Sequence, residues 1–115
     1  MTKGVSRHTL APMHQMAGDH SLAGRMNEAI DAYRQILQIS VGDAIALHGI
    51  ALIDLTEGQT KSALDALEKA ITLELNNSGY HVTLGIAHSM NDNLILAKLS
   101  FQEAVRLKPR NLSAP

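Results

Sequence analysis

Cysteine and tryptophan are absent from the chain, and its aromatic residues are one Phe and two Tyr. Without thiols there is neither a disulfide nor a thiolate metal site, although this leaves the compartment open. With so few rings, the core has to be built from Leu, Ile, Ala and Met, which favours packed helices over a β-sandwich rich in β-branched and aromatic residues. Charged residues are also scarce, 18% of the chain against about 25% in ordinary globular proteins, so part of the surface must be apolar or merely polar. Ten Lys and Arg against eleven Asp and Glu give a net charge of −1, which offers no electrostatic footing for nucleic acid or an anionic membrane. No apolar run approaches the roughly 20 residues of a membrane span, and no continuous apolar stretch follows Lys3 and Arg7 as a signal peptide would require. The default reading is one domain, in the cytoplasm.

Catalytic signatures are missing too. The sequence holds no nucleophile elbow, phosphate-binding glycine loop or HExxH helix, and its scattered Ser and Asp do not form a triad. The expectation is a non-catalytic chain without a cofactor.

What is present is a repeat. Three ungapped segments, EAIDAYRQIL (28–37), SALDALEKAI (62–71) and LAKLSFQEAV (96–105), succeed one another at an offset of 34 residues. Ala29, Ala63 and Ala97 form a small column, and Tyr33, Leu67 and Phe101 form a large one. A small residue lets two helices approach, and the bulky one fills the space beside it. Fifteen residues upstream of each segment the same offset relates MHQMAGDH, LHGIALID and HVTLGIAH, in which Met16, Ile50 and Leu84 each precede a small residue, Ala17, Ala51 or Gly85. Gly24, Gly58 and the run Asn91, Asp92, Asn93 separate the two sets, so each unit reads as helix, turn, helix. Asp43 and Ser78 are candidate N-caps for the next unit, and Pro109 marks the end of the last helix.

This pattern resembles the tetratricopeptide repeat family in its period, its small-after-apolar pair in the first helix, its Ala and large residue in the second, and Pro109 at the close. It departs from the family where Met13, Leu47 and His81 replace an early aromatic, and where Val41 and Leu75 replace a closing Pro. The resemblance implies an all-α solenoid of three stacked helix-turn-helix repeats winding as a right-handed superhelix. The repeats would span 10–43, 44–77 and 78–111, with a flexible tail at 1–9 and a short one at 112–115. It further implies an adaptor or scaffold whose first helices line a concave groove.

Helical spacing then assigns His14, Gly18, Ser21 and Leu22 to the groove in the first repeat, Ile45, His48, Leu52, Leu55 and Thr56 in the second, and Val82, Ile86, Ser89 and Met90 in the third. None is Lys, Arg, Asp or Glu, so an apolar or amphipathic peptide or helix is the expected partner, and a ligand gripped by its terminal carboxylate is not. Residues 44–53 carry no charge and are apolar almost all round, which suits a helix covered on several sides. The alternative is that these side chains pack on one another or under residues 1–9.

Ile95, Leu96 and Leu99 occupy columns that hold Asn27, Glu28 and Asp31, then Lys61, Ser62 and Asp65, in the earlier repeats. An apolar patch there points to self-association as a homodimer, or to contact with the rest of a larger protein such as a glycosyl- or sulfotransferase. Lys98 stands in the column of Ile30 and Leu64 and reads as a terminal cap. His14 and His48 share a column, but two imidazoles without a carboxylate make a poor metal site. His20, Asp54 and His88 share another, where an Asp beside His would couple stability to pH unless the three remain independent.

Overall fold

The computed structural model describes residues 7–108, in six helices. They are α1 (Arg7–Leu22), α2 (Met26–Ile39), α3 (Ala44–Thr56), α4 (Thr60–Leu73), α5 (Ser78–Met90) and α6 (Leu94–Leu107), with no strand among the described residues. The fold is an all-α helical repeat solenoid. The first helix begins at Arg7, three residues inside the segment read as a tail, and Leu10 is already buried at 1% exposure.

The turns within the helix pairs are built alike. Gly24 and Gly58 have φ of 82° and 77°, and Asp92 adopts 58° in the same column. Glycine enters this left-handed region without a Cβ penalty, while Asp is among the few other residues that tolerate it. Between pairs, Asp43 caps α3 by accepting the Ala46 N–H at 2.8 Å. The cap of α5 is Asn77 rather than Ser78: the Asn77 side chain accepts from the Tyr80 N–H, one residue earlier than the sequence suggested. Either side chain can satisfy an orphan helical donor, so spacing alone does not choose between neighbours.

Burial follows the repeat. Ala29, Tyr33 and Ile36 form the inward stripe of α2, and Ala63, Ala66, Leu67 and Ala70 that of α4. Glycine and the large column fit each other. A Cβ at Gly49 would stand 2.3 Å from the Tyr33 ring, and one at Gly85 would stand 2.5 Å from the ring of Phe101. Tyr33 thus bridges its own repeat to the next, and burial raises its phenol pKa. The central helix α3 touches α1, α2, α4 and α5, so most of its apolar girth is covered by the chain's own helices.

Across repeats, α1 touches α3 and α3 touches α5, whereas α2, α4 and α6 do not touch one another. First helices that stay in contact while second helices splay apart bend the stack toward the first set. Its inner side is therefore made by α1, α3 and α5.

Candidate functional site

Five of the side chains assigned to the groove are open on α3 and α5, two of the helices that make that side. Ile45 and Leu52 on α3, and Val82, Ile86 and Met90 on α5, are each between 42% and 49% exposed. They recur at spacings of seven and four residues, which keeps them on one stripe of each helix. Apolar side chains left half in water on two helices that touch offer surface that a partner can dry.

Leu55 is not part of it. The residue is only 8% exposed and packs with Ala63, Ala66, Leu67 and Ala87. Three alanines around it leave a space between helices, and the leucine fills it from the edge of α3. Its column mates Ser21 and Ser89 are half-buried, so helical spacing had no means of separating Leu55 from the groove.

The two groove histidines are fasteners between repeats. His14 Nε2 donates to both carboxylate oxygens of Asp43 at 3.0 Å, tying α1 to the cap of α3. Thr83 Oγ1 donates to the Gly79 carbonyl, which leaves it to accept from His48 Nε2 at 2.9 Å. The His48 ring also leans on Tyr80, with centroids 4.7 Å apart, and burial lowers its pKa because a charged imidazolium is poorly solvated there. Sequence reasoning placed both on the groove and missed both bonds, since Asp43 caps the helix that opens the second repeat and Thr83 belongs to the third. Among the described residues no group of three His, Asp or Glu side chains is placed to hold a metal ion.

The column of His20, Asp54 and His88 does not act as a unit. Arg25 Nε donates to His20 Nδ1 at 2.9 Å, and Ser62 Oγ donates to Asp54 at 2.7 Å. His88 Nδ1 is buried without a hydrogen-bond partner. The reason is legible in the columns: Leu96 stands where Ser62 serves Asp54. His81, which stands where the family has an early aromatic, donates Nε2–H to the Leu75 carbonyl at 3.2 Å.

On α6, Ile95, Leu96 and Leu99 are 76%, 40% and 53% exposed. They lie apart from a separate depression of about 550 Å³ at the end of the stack, whose walls include Leu94, Lys98, Phe101 and Val105. Among the described residues, Lys98 does not cover the apolar surface around it. No described helix is long and apolar enough to cross a membrane.

The chain was compared with known proteins. A tetratricopeptide repeat family model matches residues 44–77. The BBSome complex member BBS4 of Xenopus tropicalis is 33% identical over 79 residues, covering 69% of this chain, which spans only 15% of that relative's length. Among solved structures, the type III secretion translocator chaperone SycD of Yersinia enterocolitica superimposes with a TM-score of 0.86 at 14% identity, over 95% of this chain and 75% of that one. PcrH in complex with the chaperone binding region of PopD gives 0.83 at 19% identity, over 98% and 87%. The first TPR of Spaghetti (RPAP3), bound to the HSP90 peptide SRMEEVD, gives 0.85 at 17% identity, over 96% and 87%. At such identities the structural likeness is one of fold. The family model places the repeat at 44–77 in the tetratricopeptide repeat family, and the period and the six paired helices carry the same pattern through the described residues.

Proposed function

We propose that this chain is a protein-interaction module that binds an apolar or amphipathic segment along the inner side of the stack. The observation that carries the reading is the half-exposed stripe of Ile45, Leu52, Val82, Ile86 and Met90, on neighbouring helices, with no Lys, Arg or Glu on α3 or α5. Burying such side chains contributes roughly 25 cal/mol for each Å² removed from water, without any cost for desolvating a charge. His14 and His48 support the site from beneath by joining the repeats that carry it. The peptide-bound relatives PcrH and RPAP3 lend support to peptide binding on this fold. A peptide ending in acidic residues and a carboxylate, like SRMEEVD, is not favoured here, since no cation faces it from α3 or α5.

The test is a peptide-display selection against the wild-type chain and the double variant Leu52→Glu, Ile86→Glu, with helical circular dichroism confirming that both are folded. Both positions are more than 40% exposed, so the variant should fold. Enrichment of apolar sequences by the wild type and their loss in the variant is the expected result. Equal enrichment by both would remove the groove from consideration.

The same similarity to a much longer protein favours a second reading, in which these repeats form one part of a larger array or enzyme. The Ile95, Leu96 and Leu99 patch would then meet either the remainder of that protein or a second copy. Light scattering of wild type and Leu99→Glu distinguishes them: only self-association gives a wild-type dimer that the variant dissolves.

A further inference from the structure

One polar atom stands open within the apolar stripe of α3. His48 lies three residues after Ile45 and four before Leu52, so its ring belongs to the same side of the helix as those two half-exposed side chains. The residue is half-buried, and its two nitrogens are in different positions. Thr83 Oγ1 donates its proton to the Gly79 carbonyl at 3.2 Å, so it can only accept from His48, and Nε2 carries the hydrogen of the 2.9 Å bond between them. In the neutral imidazole Nδ1 is then a bare acceptor. It has no hydrogen-bond partner among the described residues, and it is not shut away, since the buried side-chain atom left unpaired there is Nδ1 of His88. Nδ1 of His48 therefore meets water on the side of the stripe. The bond that joins the second repeat to the third also fixes the tautomer, and Tyr80, with ring centroids 4.7 Å apart, limits the tilt of the ring.

This geometry restricts what a partner can bring. A wholly apolar segment would strip Nδ1 of its water and leave a covered acceptor unsatisfied, which weakens binding by at least about fivefold. A cationic donor gains no counter-charge, because Asp54, the one carboxylate within α3 or α5, is buried and bonded to Ser62. Building on the groove reading above, we infer that His48 is the polar anchor of that groove: Nδ1 accepts a hydrogen bond from one neutral donor, a hydroxyl or a carboxamide, set within an otherwise apolar partner segment, and acid releases that segment.

Acid acts because a protonated Nδ1 presents a charged donor to the partner's own donor. From α5 the ring meets Tyr80 and Thr83. The other histidines of α5 are His81, bonded to the Leu75 carbonyl, and His88, more than a turn beyond Thr83. Tyr33 of α2 meets the adjoining Gly49, and His14 of α1 is tied to Asp43. The inward stripe of α4 is Ala63, Ala66, Leu67 and Ala70, with no titratable group. Burial alone thus holds the His48 pKa below the ordinary histidine value. The neutral ring is the binding form, so affinity is full above that pKa and is lost as pH falls through it.

The test is a display selection with the full chain against short peptides of Ala, Leu, Ile, Val, Met and Phe into which Ser, Thr, Asn and Gln are mixed, followed by calorimetry on the enriched peptides. Wild type should enrich apolar peptides with Ser, Thr, Asn or Gln at one fixed place, and replacing that residue with Ala should weaken binding at least about fivefold. His48→Leu should bind both peptides alike. His48→Gln, whose carboxamide can donate to Thr83 and still offer an oxygen to the partner, should keep the preference. Between pH 7 and pH 5 binding to wild type should weaken about threefold or more, while binding to His48→Gln should not follow it. Circular dichroism of each variant at both pH values checks that the helices persist. Apolar peptides with no polar place, enriched by wild type and lost in the Leu52→Glu, Ile86→Glu variant, would leave the groove standing and overturn the anchor alone. So would a polar preference that survives in His48→Leu, or a pH response shared by His48→Gln. Enrichment of the same peptides by wild type and the Leu52→Glu, Ile86→Glu variant, or no enrichment by either, would overturn groove and anchor together.

Discussion

Among the described helices, the face of α1 turned away from the second repeat carries Pro12, Gln15 and Asp19, all exposed, with Gln15 donating to Asp19 at 3.1 Å. Met16, 57% exposed, is the apolar exception. At the C-terminal end, the face of α6 that has no following repeat carries Leu94, Phe101 and Val105 around a single lysine. The columns are the same ones that meet inside the stack, yet one end has been made polar and the other has kept its packing residues.

Truncating the large column should break the comparison most sharply. Leu67→Ala, at a fully buried position, should cost about 2–5 kcal/mol. Phe101→Ala should cost less, although it removes more atoms, because Phe101 is 38% exposed and open on one side. Equal losses in urea titrations would mean that α6 is packed as closely as α4.

A gentler contrast uses the glycines. Gly49→Ala puts a methyl into the Tyr33 ring between two repeats and should destabilise by about 1–3 kcal/mol. Gly85→Ala meets Phe101 equally closely, but that ring can shift into the open depression, so its melting temperature should fall by less. A larger fall for Gly85→Ala would contradict the openness of that end.

Acid should act on the seam between the second and third repeats. His48 has its pKa lowered by burial, so the unfolded chain binds that proton more tightly than the folded one. The neutral imidazole thus contributes stability above the ordinary histidine pKa of about 6.5, and the contribution is lost as pH falls below it. Around the ring stand the Thr83 hydroxyl and Tyr80, neither of which offers a charge to offset protonation. Chemical denaturation between pH 7 and pH 5 should show a shallower loss in His48→Gln than in wild type; parallel curves would clear His48 of this role. The smallest effect belongs to the last turn: Asp92→Gly, relieving a φ of 58°, should stabilise by up to about 1 kcal/mol, read as a rise in melting temperature.

The repeat was legible because its signals are local or strictly periodic. Ala29, Ala63 and Ala97 keep one phase, Gly24 and Gly58 mark turns, and Asp43 announces a helix start. The open stripe on α3 and α5 was also within reach of helical spacing. Leu55 was not, because its burial depends on alanines contributed by α4 and α5. The bonds from His14 to Asp43 and from His48 to Thr83 join residues 29 and 35 positions apart, and they arise only once repeats are stacked. Lys98 suggested a finished end, whereas the residues around it show that one cation does not cover the ring beside it.

The pairing of Tyr33 with Gly49 also makes the order of the units irreversible. Thr83 occupies the glycine's column on α5, and the branched and smaller Leu67 occupies the tyrosine's column on α4. A chain made by duplicating the middle unit would set Leu67 over a glycine and leave a hole. One made by duplicating the first would drive Tyr33 into Gln15. The three units therefore share a shape without being interchangeable: adjacency is spelled in volume, and shuffling them should give arrays that are less stable than the natural sequence even though every unit is intact.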